Sequence, residues 1–366
     1  MFDQITNKEH NSDLPILAIT QEHGAIPRDQ IDYNVAVTDR SLESYKVVEV
    51  GDFIISLRSF QGGIEYSNYK GICSPAYVIL RRKTDSIGDF FRHYFKTQRF
   101  IADLTKNLEG LRDGKMVSYT QFSELLLPSP LPKEQQKIAD CISSLDELIT
   151  AENQKLEALQ QHKKGLMQQI FPAEGEMVPK LRFKEFRDSG EWGIKPLGEV
   201  AENLDSRRIP ITENERASGT VPYYGASGII DYVKDFIFDE DLLCISEDGA
   251  NLIARNYPIA FPISGKTWVN NHAHVLRFEN QFSQIIVENY LNEINLEDYL
   301  TGIAQPKLNR GKLDIIPIPF PGPDEQIKIS DCLTSLVSLI TEQSQKVENL
   351  KAHKKGLMQQ LFPNMN

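Results

Sequence analysis

One stretch occurs twice in this chain: HKKGLMQQIFP from His162 to Pro172, and HKKGLMQQLFP from His353 to Pro363, 191 residues later. The match continues upstream at the same offset. Pro132, Glu134, Gln135, Lys137, Ile138, Asp140 and Cys141 line up with Pro323, Glu325, Gln326, Lys328, Ile329, Asp331 and Cys332. Over the two copies 26 of 41 positions are identical without a gap, whereas the sequences that precede them differ widely. Two near-identical modules alternating with two divergent ones imply a fixed scaffold and a surface that is free to change.

Each copy predicts a long helix. Apolar residues recur at alternating spacings of four and three, at Ile138, Ile142, Leu145, Ile149, Leu156, Leu159, Leu166 and Ile170, then at Ile329, Leu333, Leu336, Ile340, Val347, Leu350, Leu357 and Leu361. That is a heptad seam. Pro132 and Pro323 stand where a helix takes its first residue, with acid in the turn behind them. At ~1.5 Å per residue, a helix over 133–170 is roughly 57 Å long. A lone apolar stripe needs a partner, and the obvious partner is the duplicate. Two seam positions are polar in both copies, Glu152 and Lys163, then Gln343 and Lys354. One antiparallel register brings Glu152 to Lys354 and Lys163 to Gln343. Gly165 and Gly356 each cost about 1 kcal/mol inside a helix, so their recurrence predicts close backbone approach by a neighbour, or a kink. Cys141 and Cys332 share one repeat position on the apolar face, and with Cys73 and Cys244 show no metal or CxxC spacing; all four are expected as reduced interior thiols.

The divergent regions read as mixed α/β. In the first, LPILAIT at 14–20, VVEVGDFIISL at 47–57 and CSPAYVILRR at 73–82 are strand-like, 89–107 has helical spacing, and LLLPSPLP at 125–132 must be extended. In the second the strand candidates are 229–233, 238–246, 257–263 and 272–278, with a helix over 281–294 and an extended proline passage over 311–323. The charged segment 173–192 reads as a connector. VGDFIIS at 50–56 matches DEDLLCIS at 239–246 in character, so both regions are expected to be copies of one domain.

Composition narrows the function. No apolar run approaches the ~20 residues of a membrane span, and the opening MFDQITNKEHNSD is no signal peptide. The expected location is therefore cytoplasmic. A net charge of −11 argues against tight non-specific nucleic-acid binding by the free chain, though local basic patches remain compatible with DNA contact. There is no phosphate-binding loop and no methyltransferase tetrapeptide, so the chain is not expected to be an enzyme. ISEDGAN at 245–251 reads as a turn after a strand, and His272 and His274 have no evident third metal ligand, which favours a structural role.

The passages PLPKEQQKIADCISSLDELI and PGPDEQIKISDCLTSLVSLI share Pro-x-x-Glu-Gln-x-x-Ile before a long helix. Together with YYGASGIIDYV at 223–233 and GKTWVNNHAHVLRF at 265–278, they resemble the specificity subunit of a type I restriction–modification enzyme. The likeness covers essentially the whole chain. It implies an α+β fold with two mixed α/β target recognition domains, separated by two long antiparallel helices in a pseudo-two-fold repeat. The implied limits are 1–130 and 179–319 for the recognition domains, and 131–178 and 320–366 for the helical spacers. It further implies double-stranded DNA as partner, read as a bipartite target. Two modification subunits and the restriction/translocase subunits dock on the chain. No cofactor is expected in this chain; S-adenosylmethionine, ATP and Mg belong to those partners. One departure stands out: the Trp-x-x-x-x-Leu-Gly opening is present only at 192–198, so the first domain is expected to have a shortened opening segment.

Base reading calls for Arg, Lys, Asn, Gln, Ser and aromatic side chains on loops. Candidates in the second region are Arg207, Arg208, Tyr223, Tyr224, Ser227, Lys266, Asn270, Asn271 and Arg310. In the first they are Gln21, His23, Arg28, Arg58, Gln61, Tyr66, Lys70, Arg112 and Lys115. The alternative reading is a duplicated coiled-coil adaptor that docks two identical proteins without touching DNA.

Overall fold

The computed structural model describes residues 1–10, 13–31, 42–57, 59–83, 86–106, 117–173, 175–302 and 305–362. Two compact units emerge, and neither is a continuous stretch of chain. The first comprises Met1–Asn153 with Gln345–Asn366, the second Gln154–Ser344. The repeat copies form helices over Pro132–Ile170 and Pro323–Leu361, so each unit contains one half of each long helix. Among the described residues no helix is long and apolar enough to cross a membrane.

In the first unit, β1 (Phe2–Ile5), β5 (Phe53–Ile55), β6 (Glu65–Tyr66) and β8 (Val78–Arg82) form an antiparallel sheet in the order β1-β8-β5-β6. Beside it lie β2 (Leu17–Thr20), β3 (Gly24–Pro27), β4 (Lys46–Val48) and β7 (Gly71–Cys73). The pairs are β2 with β3 and β4 with β7, joined by a parallel bridge from Ile16 to Ile72. The second unit repeats this plan. β10 (Ala201–Asn203), β14 (Leu242–Ser246), β15 (Ala260–Ile263) and β17 (Ala273–Phe278) take the order β10-β17-β14-β15. β11 (Ser218–Gly225), β12 (Gly228–Val233), β13 (Phe238–Asp239) and β16 (Lys266–Val269) take the order β12-β11-β16-β13, with β11 and β16 parallel. The expected common plan is therefore present strand for strand. An extra pair, β9 (Gly193–Pro196) with β18 (Pro317–Phe320), is added in the second unit.

Two sequence-predicted elements divide. The run 47–57 is two strands, because the Asp52 carboxylate accepts the Glu49 N–H and is gripped by Arg81 at 2.7 and 2.8 Å, fixing a turn. The helix over 89–107 breaks into Gly88–Tyr94 and Gln98–Thr105, since the Thr97 hydroxyl caps the second piece by accepting the Phe100 N–H.

The Pro-x-x-Glu-Gln motif has a structural purpose that its residues explain. Gln135 donates to the Pro130 carbonyl and accepts from the Ile87 N–H, at the entry to the helix Gly88–Tyr94. Gln326 donates to the Pro321 carbonyl and accepts from the Ser283 hydroxyl in the helix Gln281–Glu293. One glutamine in each unit thus ties the proline passage and the variable region's helix to the long helix.

All sixteen predicted seam residues are buried or half-buried, while Leu148, Val337 and Leu339, off the seam, are exposed. In the first unit Ala139 and Ile142, near the start of one long helix, share a core with Phe362 just past the end of the other. In the second, Met167 and Ile170 pack with Ile329 and Leu333. Within the first unit Asp146 pairs with Lys354, and Glu152 with Lys346 at 2.5 Å. Numbers rise along one helix as they fall along the other, so these halves run antiparallel.

That register corrects the predicted one. Glu152 meets Lys346 rather than Lys354, a displacement of about two helical turns. Nor is Lys163 placed by Gln343: the charges it faces are Glu288 and Glu293 of the helix Gln281–Glu293. Heptad periodicity fixes the face of a helix but leaves its sliding free. The cysteine expectation also fails in part. Cys73 and Cys244 are buried, and burial pushes the Cys73 thiol up to about 12, but Cys141 is exposed and Cys332 half-exposed. Each lies one residue before the seam position, about 100° round the helix.

The repeated glycines do not serve close packing. A β-carbon at Gly165 or Gly356 would meet nothing within 4 Å. Gly165→Ala and Gly356→Ala are therefore expected to stabilise the protein by about 1 kcal/mol each, read as higher denaturation midpoints.

A pH response belongs to the first unit. His93 is buried, 3.0 Å from the Ser143 hydroxyl and 3.9 Å from Asp146. Burial lowers its pKa to about 4, with Asp146 opposing and Lys354 assisting. The unfolded chain binds this proton near pH 6.5 and the folded chain near 4, so protonation favours unfolding. His93 thus costs nothing above about pH 6.5, and stability falls as the pH drops towards 4. His93→Gln should flatten that part of the stability–pH curve.

Candidate nucleic-acid interface

In the second unit, parallel pairing of β11 with β16 brings the turns that follow them to one edge. The turn at Ala226–Ser227 is held by the Ser246 hydroxyl donating to the Ala226 carbonyl at 2.6 Å. The turn after β16 is shaped by Asn270, whose side-chain oxygen accepts the His272 N–H. Glu247 N–H donates to the His272 carbonyl, and Leu308 N–H to the Glu247 carbonyl. Ser227, Asn271, His272 and Lys307 are exposed on this loop cluster. Ser227 lies 3.0 Å from the Tyr257 hydroxyl, and His272 2.8 Å from Asp248.

Beneath the loops is a polar lock. His274, 1% exposed, has its ring nitrogens 2.6 Å from Asp205 and 2.7 Å from the Leu308 carbonyl. Arg208 reaches Glu247 at 2.7 Å and the Ala273 carbonyl at 2.8 Å, and Lys307 reaches Glu247 at 3.1 Å. Burial pushes the Asp205 and Glu247 carboxyls up, but hydrogen bonds from His274 to Asp205 and from Arg208 to Glu247 more than offset it, leaving both below their ordinary values. Asp205, Glu247 and His274 offer ligand atoms within 4.8 Å of one another, so His274 does have acidic neighbours that its sequence context does not reveal. Their charge is answered by Arg208 and Lys307, which makes the group a clamp on three loops.

The candidate residues separate accordingly. Ser227 and Asn271 stand together on the loop edge. Asn270 is buried and shapes the turn, and Tyr224 is half-buried, stacked on Phe261 at 6.1 Å. Tyr223 is 1% exposed; its hydroxyl accepts the Ile211 N–H and donates to the Ile211 carbonyl, while Arg216 covers its ring. Tyr223 and Arg208 are thus internal supports, with no side-chain surface to offer a duplex. Arg207 is exposed but pairs with Glu240 and lies over Phe238. Lys266, at the opposite end of β16, lies over Phe236, and Arg310 pairs with Asp314 on its own helix. His272 and Lys307 are loop-edge residues that sequence reading did not select; no local signal distinguishes them from other surface polar groups.

In the first unit Gln21 and His23 sit on the β2–β3 hairpin and, with Tyr66, line an open cleft. Arg92 stands over the Tyr66 ring at 5.4 Å. Arg28, Gln61 and Lys70 lie outside the cleft lining; Arg28 is half-buried, Gln61 is exposed, and Lys70 pairs with Glu49 at 2.9 Å. Arg58, Arg112 and Lys115 fall outside the described residues.

Comparison with known proteins now decides the family. The pattern of the Type I restriction modification DNA specificity domain is matched over residues 4–161 and again over 189–351. The chain belongs to this family. Its two matches each cover one variable region and most of the helix that follows, so the DNA specificity domain is present twice. A type I restriction enzyme specificity subunit of Haemophilus influenzae is 39% identical over 151 residues, which is 40% of this chain and 38% of that protein. The MjaVIII specificity subunit of Methanocaldococcus jannaschii is 24% identical over 358 residues, 90% of this chain and 81% of that one. The solved S subunit from M. genitalium has the same fold, with a TM-score of 0.60 at 16% identity, covering 100% of this chain and 94% of its own.

Proposed function

We propose that this chain is the DNA-specificity subunit of a type I restriction–modification complex. Each unit reads one half of a bipartite target in double-stranded DNA, and the long helices act as the coiled-coil-like spacer between the halves. The observation that carries this reading is the duplication of one eight-strand plan whose loops differ while its helices do not. A reader of two unlike half-sites needs that combination: constant support and divergent edges. Ser227, Asn271, His272 and Lys307 are the proposed base- and phosphate-contacting residues of the second unit, and Gln21, His23 and Tyr66 belong to that surface in the first.

The constant helices are the docking surface for two modification subunits, with restriction subunits added to that core. Methyl transfer, with S-adenosylmethionine, and ATP-driven cleavage with Mg reside in those partners, in the cytoplasm where the genome is. The adaptor alternative accounts for the helices but leaves the divergent loops without a purpose. The test is binding by the complex of this chain with its modification subunit. Salt-dependent affinity for one bipartite sequence over scrambled duplexes is expected; equal affinity for all duplexes would contradict the reading.

A further inference from the structure

The first unit's cleft is built from two sources, the variable region and the last turns of the second long helix. Its volume of about 1300 Å³ exceeds the roughly 300–1,000 Å³ of small-molecule sites. Six Lys and Arg residues line it against three Asp and Glu, in a chain whose net charge is −11. Two of the cations are internally committed: Lys96 to the buried Glu65 at 2.5 Å, and Lys354 to Asp146. The other four are Arg92, Arg99, Lys351 and Lys355. Arg92, Arg99 and Lys351 have carboxylate neighbours three or four residues away on their own helices, at 3.9, 3.6 and 2.8 Å. Such exposed pairs contribute little and exchange readily for a stronger anion. Lys355 makes no ion pair among the described residues.

The second unit treats the equivalent positions differently. Lys351 corresponds to Gln160, and Lys355 to Lys164. There the carboxylates of Glu288 and Glu293 answer Lys163, and Glu293 also answers Lys164. A cationic cleft at the repeat helix is thus particular to the first unit.

We infer that a DNA sugar–phosphate backbone lies in this cleft, with Arg92, Arg99, Lys351 and Lys355 as its phosphate contacts. The end of the second long helix is then part of the DNA contact of the first unit and is more than a spacer. Charge complementarity favours nucleic acid, and the uncharged lining from Gln21, Asn68 and Gln98 suits a sugar–phosphate chain better than an apolar protein face.

The inference rests on the DNA-specificity reading, and its test keeps the two apart. The complex with its modification subunit is titrated with the cognate duplex across a range of salt, comparing the wild type with Lys351→Gln/Lys355→Gln. Each lost phosphate contact lowers the log–log salt slope by about 0.9. The double variant should therefore lose nearly two units of slope and bind at least about tenfold more weakly, with unchanged sequence preference. Lys164→Gln should leave the slope as it is. An unchanged slope in the double variant overturns the cleft assignment alone, as does failure of that variant to retain the modification subunit, which would make the cleft a protein interface. Absence of selective binding by the wild type sinks both readings.

Discussion

Arg182→Ala is expected to destabilise the second unit by about 3 kcal/mol. Arg182 makes two parallel hydrogen bonds to Glu325, both 2.7 Å, and the side chains are 7% and 3% exposed. Removing one member of a buried pair strands the other charge, which costs roughly 3–5 kcal/mol. The lower end applies because a further bond from the guanidinium, to the Gly190 carbonyl at 2.6 Å, lies near the surface. Both tryptophans, Trp192 and Trp268, belong to the second unit. Trp fluorescence therefore follows this transition without interference from the first. The midpoint should fall sharply in Arg182→Ala and recover most of the loss in Arg182→Met/Glu325→Leu, where no charge is left unpaired. A midpoint unchanged in the single variant would show that this pair does not hold the 173–192 segment.

Lengthening both long helices by one heptad should move the two half-sites apart by about three base pairs and leave both sequences unaltered. Seven residues at ~1.5 Å add roughly 10 Å, and a duplex rises ~34–36 Å per 10–10.5 base pairs. A heptad also returns the seam to the same face, so Ile142 and Leu333 keep their partners. Insertions of four residues turn the apolar stripe away from its partner and should lower stability in place of changing the spacing. Recognition motifs recovered from methylation maps of cells carrying each variant give the answer directly.

How much was legible in the sequence follows from which interactions are local. The repeat, the helix starts at Pro132 and Pro323 and the sixteen seam positions needed only periodicity and proline chemistry. Helix register was not legible, because Asp146–Lys354 and Glu152–Lys346 are choices among several charge matches that one heptad pattern permits. The strand run 47–57 looked continuous because its break depends on Arg81, far along the chain, holding Asp52. Residue type alone cannot separate Ser227 and Asn271, on the loop edge, from Tyr223, Arg208 and Asn270, which support that edge from beneath. The connector 173–192 looked like a polar link because composition hides the two residues that anchor it, Arg182 on Glu325 and Trp192 on Phe171.

The most direct test of the central claim exchanges residues 193–320 for the equivalent region of another family member and maps methylated sites in cells that also carry the modification subunit. One half of the bipartite motif should change while the other half and the spacer stay as they were. A motif altered in both halves, or one with no division into halves, would contradict two independent readers joined by a common pair of helices.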